Sequence, residues 1–220
     1  LYQGGTKGTL VTIQEDHRAE LIQTLDHLET VSGKISGLLG RNGALTFPDH
    51  HKLSEGLFLS AWTHWEEFLR QILVDDLATD VKGFVQKDIR QFRVKGAPRR
   101  LAERILFHPD HPQKFVEWDF GFVKSRADTF LPAEHRFAAA LPREQELEKL
   151  KRIRNAIAHK SDRAWESFKK LVSDPPFDLQ PKQRKALTVG RFLTSHQWNG
   201  QSVLLETFRI HRQNALYLVP

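Results

Sequence analysis

Leu147-Glu148-Lys149-Leu150-Lys151-Arg152-Ile153-Arg154-Asn155-Ala156-Ile157-Ala158-His159-Lys160 carries apolar side chains at 147, 150, 153 and 157. Steps of three and four residues stack them into one stripe, the pattern of an amphipathic helix that must bury that stripe against a core. Arg154, Asn155 and His159 lie off the middle of the stripe. A guanidinium that never deprotonates, a hydrogen-bonding amide and an imidazole that titrates near neutrality thus stand close together, a set suited to chemistry on a phosphodiester.

Upstream, the strongest hydrophobic pattern runs from about Asp49 to Thr79. Leu57, Phe58, Ala61, Trp62, Trp65, Phe68, Leu69, Ile72, Leu73 and Leu77 form a wide helical face. At ~1.5–3 kcal/mol per buried large side chain, this helix is expected at the centre of the core. Glu67 points away from that face, whereas Glu66 sits on its flank and needs a cationic or hydrogen-bonding partner if a neighbouring helix covers it. An earlier helix is expected from Thr12, where Thr12-Ile13-Gln14-Glu15 fits a capping box, through Leu21, Ile22, Leu25, Leu28, Val31 and Ile35 to the glycines at 37 and 40. Residues 12–79 then form a first helical pair, preceded by a Gly- and Thr-rich arm over 1–11.

Between that pair and the motif helix, residues 81–142 read as an irregular insertion. Its first part is basic, with Lys87, Arg90, Arg93, Lys95, Arg99, Arg100 and Arg104 against Asp88 and Glu103, and Gly96-Ala97-Pro98 splits it into two short helices. Such a stretch is either a phosphate-tracking surface or a solvated face. Residues 107–142 combine Pro109, Pro112, Pro132 and Pro142 with Phe115, Trp118, Phe120 and Phe122, and turns with short helices are expected. His108, Asp110 and His111 resemble metal ligands in type, but with no third protein ligand of known position no metal is assigned. Pro142 suits a first turn and opens the motif helix, so 143–173 holds that helix and a following one capped at Lys160-Ser161-Asp162, using Ala164, Trp165, Phe168, Leu171 and Val172. Asp174-Pro175-Pro176 ends it. The segment 181–220 is split by a Trp198-Asn199-Gly200 turn, and its part from 203 to 219 fits a helix or an edge strand.

The 220 residues suit a single domain, and 40% hydrophobic content is enough for a sizeable core. A net charge of +6 favours an anionic partner such as nucleic acid, but 27 acidic against 33 basic residues describe a mixed surface. The absence of cysteine excludes disulfides, thiolate metal sites and a cysteine nucleophile, and fits a reducing compartment. No apolar run is long enough to span a bilayer and Leu1-Tyr2-Gln3-Gly4-Gly5 lacks a signal-peptide pattern, so a cytoplasmic location without membrane contact is expected. Methionine, including an initiator, is absent too.

Leu150-x-x-Ile153-Arg154-Asn155-Ala156-Ile157-Ala158-His159, together with Trp62-x-x-Trp65-Glu66-Glu67-Phe68-Leu69, resembles the HEPN superfamily, in particular its stand-alone RiboL-PSP-type members. The resemblance covers two helices well and the helix after the motif loosely. It implies an all-α, antiparallel helical bundle. It also implies a metal-independent endoribonuclease without cofactors, whose two Arg-x-x-x-x-His motifs line one cleft of a homodimer, in the manner of a toxin or defence effector. Matched by position, Arg154 and His159 are the catalytic pair, Asn155 the polar residue after the Arg and Glu66 the acidic position of the earlier helix. Some members have lost catalysis, and the alternative is an interaction or RNA-binding module, for example the partner of a nucleotidyltransferase. A cognate antitoxin is a further possible partner.

The chemistry stands on its own terms. RNA is cut without metal when its 2′-hydroxyl is deprotonated and attacks phosphorus, leaving a 2′,3′-cyclic phosphate and a 5′-hydroxyl. His159 is the candidate base or acid, worth roughly 10²–10⁴-fold. Arg154 offers forked donors to the developing oxyanions, Asn155 orients the ring or a phosphate oxygen, and Glu66 positions Arg154 or sets the imidazole tautomer. Arg90, Arg93, Lys95, Arg99, Arg100, Arg152 and Lys160 are the expected RNA contacts. Residues five apart on an ideal helix diverge by about 140°. Arg154 and His159 therefore meet only if the helix deforms near its end; otherwise two chains must complete the site, and the two-fold dimer is the favoured expectation. The purely structural reading is that Arg154 pairs with Glu66 while His159 closes a helix. Arg191 and His196 have the same spacing, so spacing alone decides nothing.

Overall fold

Two reciprocal capping boxes start the two longest helices. Thr12 Oγ1 accepts the Glu15 N–H while Glu15 accepts the Thr12 N–H, and Thr46 and Asp49 repeat the arrangement, each satisfying two otherwise free backbone donors. The computed structural model describes residues 12–40, 43–79, 83, 98–106, 118–159 and 161–220. Among them lie nine helices: α1 (Ile13–Gly37), α2 (Phe47–Ala78), α3 (Pro98–Leu106), α4 (Phe120–Phe130), α5 (Glu144–Ala158), α6 (Asp162–Ser173), α7 (Pro181–Arg184), α8 (Val189–Ser195) and α9 (Val203–Leu218). A two-residue hairpin, β1 (Gln197–Trp198) with β2 (Gln201–Ser202), precedes α9. Asn199 and Gly200 turn it with φ of 50° and 89°, the left-handed pair that a tight hairpin requires. The fold is all-α in class.

Cross-helix bonds give the directions. His17 of α1 meets Asp75 of α2, while Ser36 approaches His50, so α1 and α2 run antiparallel. Arg18 donates to the Val219 carbonyl and Arg212 to Asp26 and Glu29, so α9 also runs antiparallel to α1. Arg136 links Asp76 to the Leu218 carbonyl, which ties the ends of α2 and α9 together.

The apolar face of α2 is the centre of the core, as its periodicity predicts. Phe58, Ala61, Trp62, Trp65, Phe68, Leu69, Ile72, Leu73 and Leu77 are buried, joined by Leu21, Leu25 and Leu28 of α1 and Leu147, Leu150 and Ile153 of α5. The segment left open between helix and strand is the helix α9. Ser202 caps it by accepting the Leu205 N–H, and it is buried on several sides, which erases the one-sided pattern from which a helix is usually read. At Gly190, α8 approaches α2 so closely that a Cβ would lie 2.3 Å from the His51 carbonyl oxygen. The Gly190 N–H donates to Glu55, which secures that contact.

Two details depart from expectation. α5 begins at Glu144, after Arg143 as its cap, so Pro142 precedes the helix and does not open it. Trp165 stays 38% exposed, its ring lying against Phe168, because it falls at the edge of the α6 stripe. Ser161 caps α6 through the Ala164 N–H, and the helix stops at Ser173 before Asp174-Pro175-Pro176, both as expected.

Candidate functional site

α5 is held at both ends. At its start Arg143 donates to Glu146, Gln213 and Glu206, and its own N–H donates to Asn214 of α9. Glu206, fully buried, also accepts from Asn199, Gln201 and Arg209. Burial opposes its charge, but these donors prevail and hold its carboxyl at about 2. Near its end, Lys151 pairs with Asp119 at 2.5 Å, and Asp119 also caps α4 through the Phe122 N–H. Arg152 donates to the hydroxyl and carbonyl of Ser167, tying α5 to α6 as an antiparallel pair.

Beyond these anchors, at the end of α5, the motif converges within one chain. α5 ends at Ala158, and His159 is its C-cap with extended backbone, φ −112° and ψ 101°. Leaving the helix removes the angular separation that helical spacing imposes, and Arg154 Nη1 lies 3.0 Å from His159 Nε2 and 3.1 Å from Asn155 Oδ1. Helix deformation is thus how Arg154 and His159 meet. Each acceptor takes one of the two Nη1 hydrogens, leaving Nη2 and Nε without hydrogen bonds among the described residues. Arg154 and Asn155 are half-buried and His159 is exposed, so the cluster is open to a large ligand.

Glu66 is half-buried on α2, and its carboxylate accepts the indole N–H of Trp62 at 2.8 Å, one turn earlier on the same helix. Arg154, Asn155 and His159 are therefore brought together, and Glu66 belongs to the neighbouring helix. Of the expected RNA contacts, Arg99 is ion-paired with Asp75, Arg152 is committed to Ser167, and Arg100 is exposed. Arg90, Arg93, Lys95 and Lys160 lie outside the described residues, as do His108, Asp110 and His111. Among the described residues no group of three His, Asp or Glu is placed to hold a metal, and no helix is long and apolar enough to cross a membrane.

Asp119 and Arg143 position the motif helix but escape sequence reading. Asp before Phe120 is a recognisable N-cap, so its place at a helix start was legible; its second role, holding Lys151, needs the fold. Arg191 and His196 also place an Arg in a helix and a His at its C-cap, yet among the described residues no hydrogen bond joins their side chains. The side-chain contact at 154–159 is what distinguishes that pair from the one at 191–196. No protein-family model, curated protein or solved structure matches the chain.

Proposed function

We propose that the protein is an endoribonuclease of the HEPN type, cutting RNA by attack of a 2′-hydroxyl on the adjacent phosphorus. The observation that carries this reading is the Arg154–His159 contact beside Asn155 at an open helix end. A guanidinium only donates, so in that contact His159 Nε2 holds a lone pair and, in the neutral ring, Nδ1 holds the hydrogen. Nε2 is then the nitrogen that takes the 2′-hydroxyl proton. Incoming phosphate draws Arg154 away from the ring, since a forked cation binds phosphate oxygens better than a neutral imidazole. Arg154 thereby frees the base and neutralises the phosphorane in one movement. The 5′-oxygen leaves with a proton given by His159 of a second copy across a two-fold axis, which enters the turnover as the imidazolium, while the proton gained by the first His159 restores the pair through solvent, and this gives the dimer its role.

The test is cleavage of a single-stranded RNA by purified protein in EDTA, with end-group analysis. The parent is expected to yield 2′,3′-cyclic phosphate and 5′-hydroxyl ends, and Arg154→Ala and His159→Ala to lose activity. Activity retained in both variants sinks the mechanism. A folded but inactive parent favours the reading as an interaction module.

A further inference from the structure

A second cluster of titratable side chains lies between the first half of α1 and the middle of α2. It is on a different side of α2 from Glu66, from which Glu67 and Gln71 are turned by roughly 100° and 140°. His17 and Glu20 of α1 and His64, Glu67 and Gln71 of α2 give polar walls to a cavity of about 120 Å³, and Leu21 and Phe68 give it an apolar one.

Hydrogen bonds set which imidazole nitrogens are lone pairs. His17 Nε2 lies 2.9 Å from Asp75 Oδ2, and a carboxylate only accepts, so the hydrogen is on Nε2 and the lone pair of the neutral ring on Nδ1. His64 Nδ1 lies 2.8 Å from the Ser60 carbonyl, which likewise only accepts, so the lone pair of its neutral ring is on Nε2. Two nearby carboxylates are already compensated. Arg99 pairs with Asp75, and Arg70 donates to both oxygens of Glu67 at 2.8 and 2.6 Å. Glu20 makes no ion pair among the described residues. The Gln71 amide nitrogen donates to Glu67, and its Oε1 is shut off from solvent with no hydrogen bond among the described residues.

The lining residues therefore carry two imidazole lone pairs and, in Glu20, a carboxylate without an ion pair among the described residues, with the Gln71 amide oxygen closed off behind them. These are all acceptors. A ligand that complements them brings several N–H donors and one positive charge, with an aliphatic stem to lie on Leu21 and Phe68. We propose that this cavity binds a guanidinium or alkylammonium head group, carried either by a basic side chain of a peptide or by a free polyamine. The site is independent of the ribonuclease reading and stands or falls separately.

The experiment is an NMR titration of the full chain, following the His17 and His64 imidazoles and the Gln71 side-chain amide. The probes are methylguanidinium, spermidine, a short peptide with one arginine, and tetramethylammonium as a cation without N–H donors. Methylguanidinium is expected to give saturable shifts at all three side chains, and tetramethylammonium none. Glu20→Gln and His64→Ala, both at exposed positions that leave the core intact, are expected to weaken binding about fivefold or more. A tighter dissociation constant for the peptide assigns the head group to a protein side chain, and a tighter one for spermidine assigns it to a polyamine. No saturable shift, an equal response to tetramethylammonium, or unchanged binding in both variants overturns the proposal.

Discussion

Arg154 Nη1 and His159 Nε2 stand 3.0 Å apart, and since a guanidinium cannot accept, the imidazole nitrogen in that contact holds a lone pair. The neutral His159 ring is therefore expected in its Nδ1–H form, readable from nitrogen chemical shifts. Arg154→Ala is expected to release that preference and to lower RNA cleavage by roughly 10²-fold or more. An unchanged tautomer in the variant refutes the contact as its cause.

His211 is fully buried, its ring stacked on Trp65 with centroids 5.3 Å apart, and neither of its nitrogens has a hydrogen-bond partner among the described residues. Burial pushes it down from 6.5 to about 3. Between those values the unfolded chain binds a proton that the folded one refuses. Stability at this group is thus complete above pH 6.5 and falls at about 1.4 kcal/mol per pH unit below it. His211→Phe is expected to flatten that slope in urea titrations across the range. An unchanged slope would assign the acid sensitivity elsewhere.

Glu206 adds a second, more acidic loss. Its carboxyl is lowered from 4.5 to about 2, so its contribution is whole above 4.5 and disappears as pH falls through about 2. Glu206→Gln at neutral pH removes the buried anion that Arg143 and Arg209 share, leaving Arg143 with Glu146 alone and the largely exposed Arg209 to water, and is expected to cost about 1–3 kcal/mol. Denaturant unfolding measures this. Because Arg143 starts α5, amide exchange in that helix is expected to rise as well.

Arg152 reads as an RNA contact in the sequence, and in the fold its Nε and Nη2 donate to the hydroxyl and carbonyl of Ser167. Arg152→Ala is expected to destabilise the α5–α6 pair by about 1–3 kcal/mol. A loss of RNA affinity at unchanged melting temperature would assign it to RNA contact and not to the helix pair.

Gly190→Ala puts a methyl group against backbone, 2.3 Å from the His51 carbonyl oxygen. Backbone cannot rotate aside as a side chain can, so a cost of roughly 1–3 kcal/mol is expected, seen as a lower melting temperature.

Much of the helical framework was legible because it is local. The Thr12 capping box, the long apolar face of α2, the stripe at 147, 150 and 153, the Ser161 cap and the stop at Asp174 are all dictated by contacts within a few residues. The Thr46–Asp49 box is equally local and could have been read from Thr46-Phe47-Pro48-Asp49. α9 resisted the same reading because burial on several sides leaves no polar face to set a period.

The sequence by itself determined which residues form the motif and that they ride an amphipathic helix, since both follow from spacing along the chain. Only the tertiary structure decided how Arg154 and His159 relate. Helical spacing drives them apart, and the escape of His159 into extended backbone at the cap brings them together. The fold likewise decided that Arg99 and Arg152 face partners inside the protein, while Arg100 remains exposed. A charge's partner is set by which helices pack against it, and that information lies far away in the sequence, at Asp75 for Arg99 and Ser167 for Arg152.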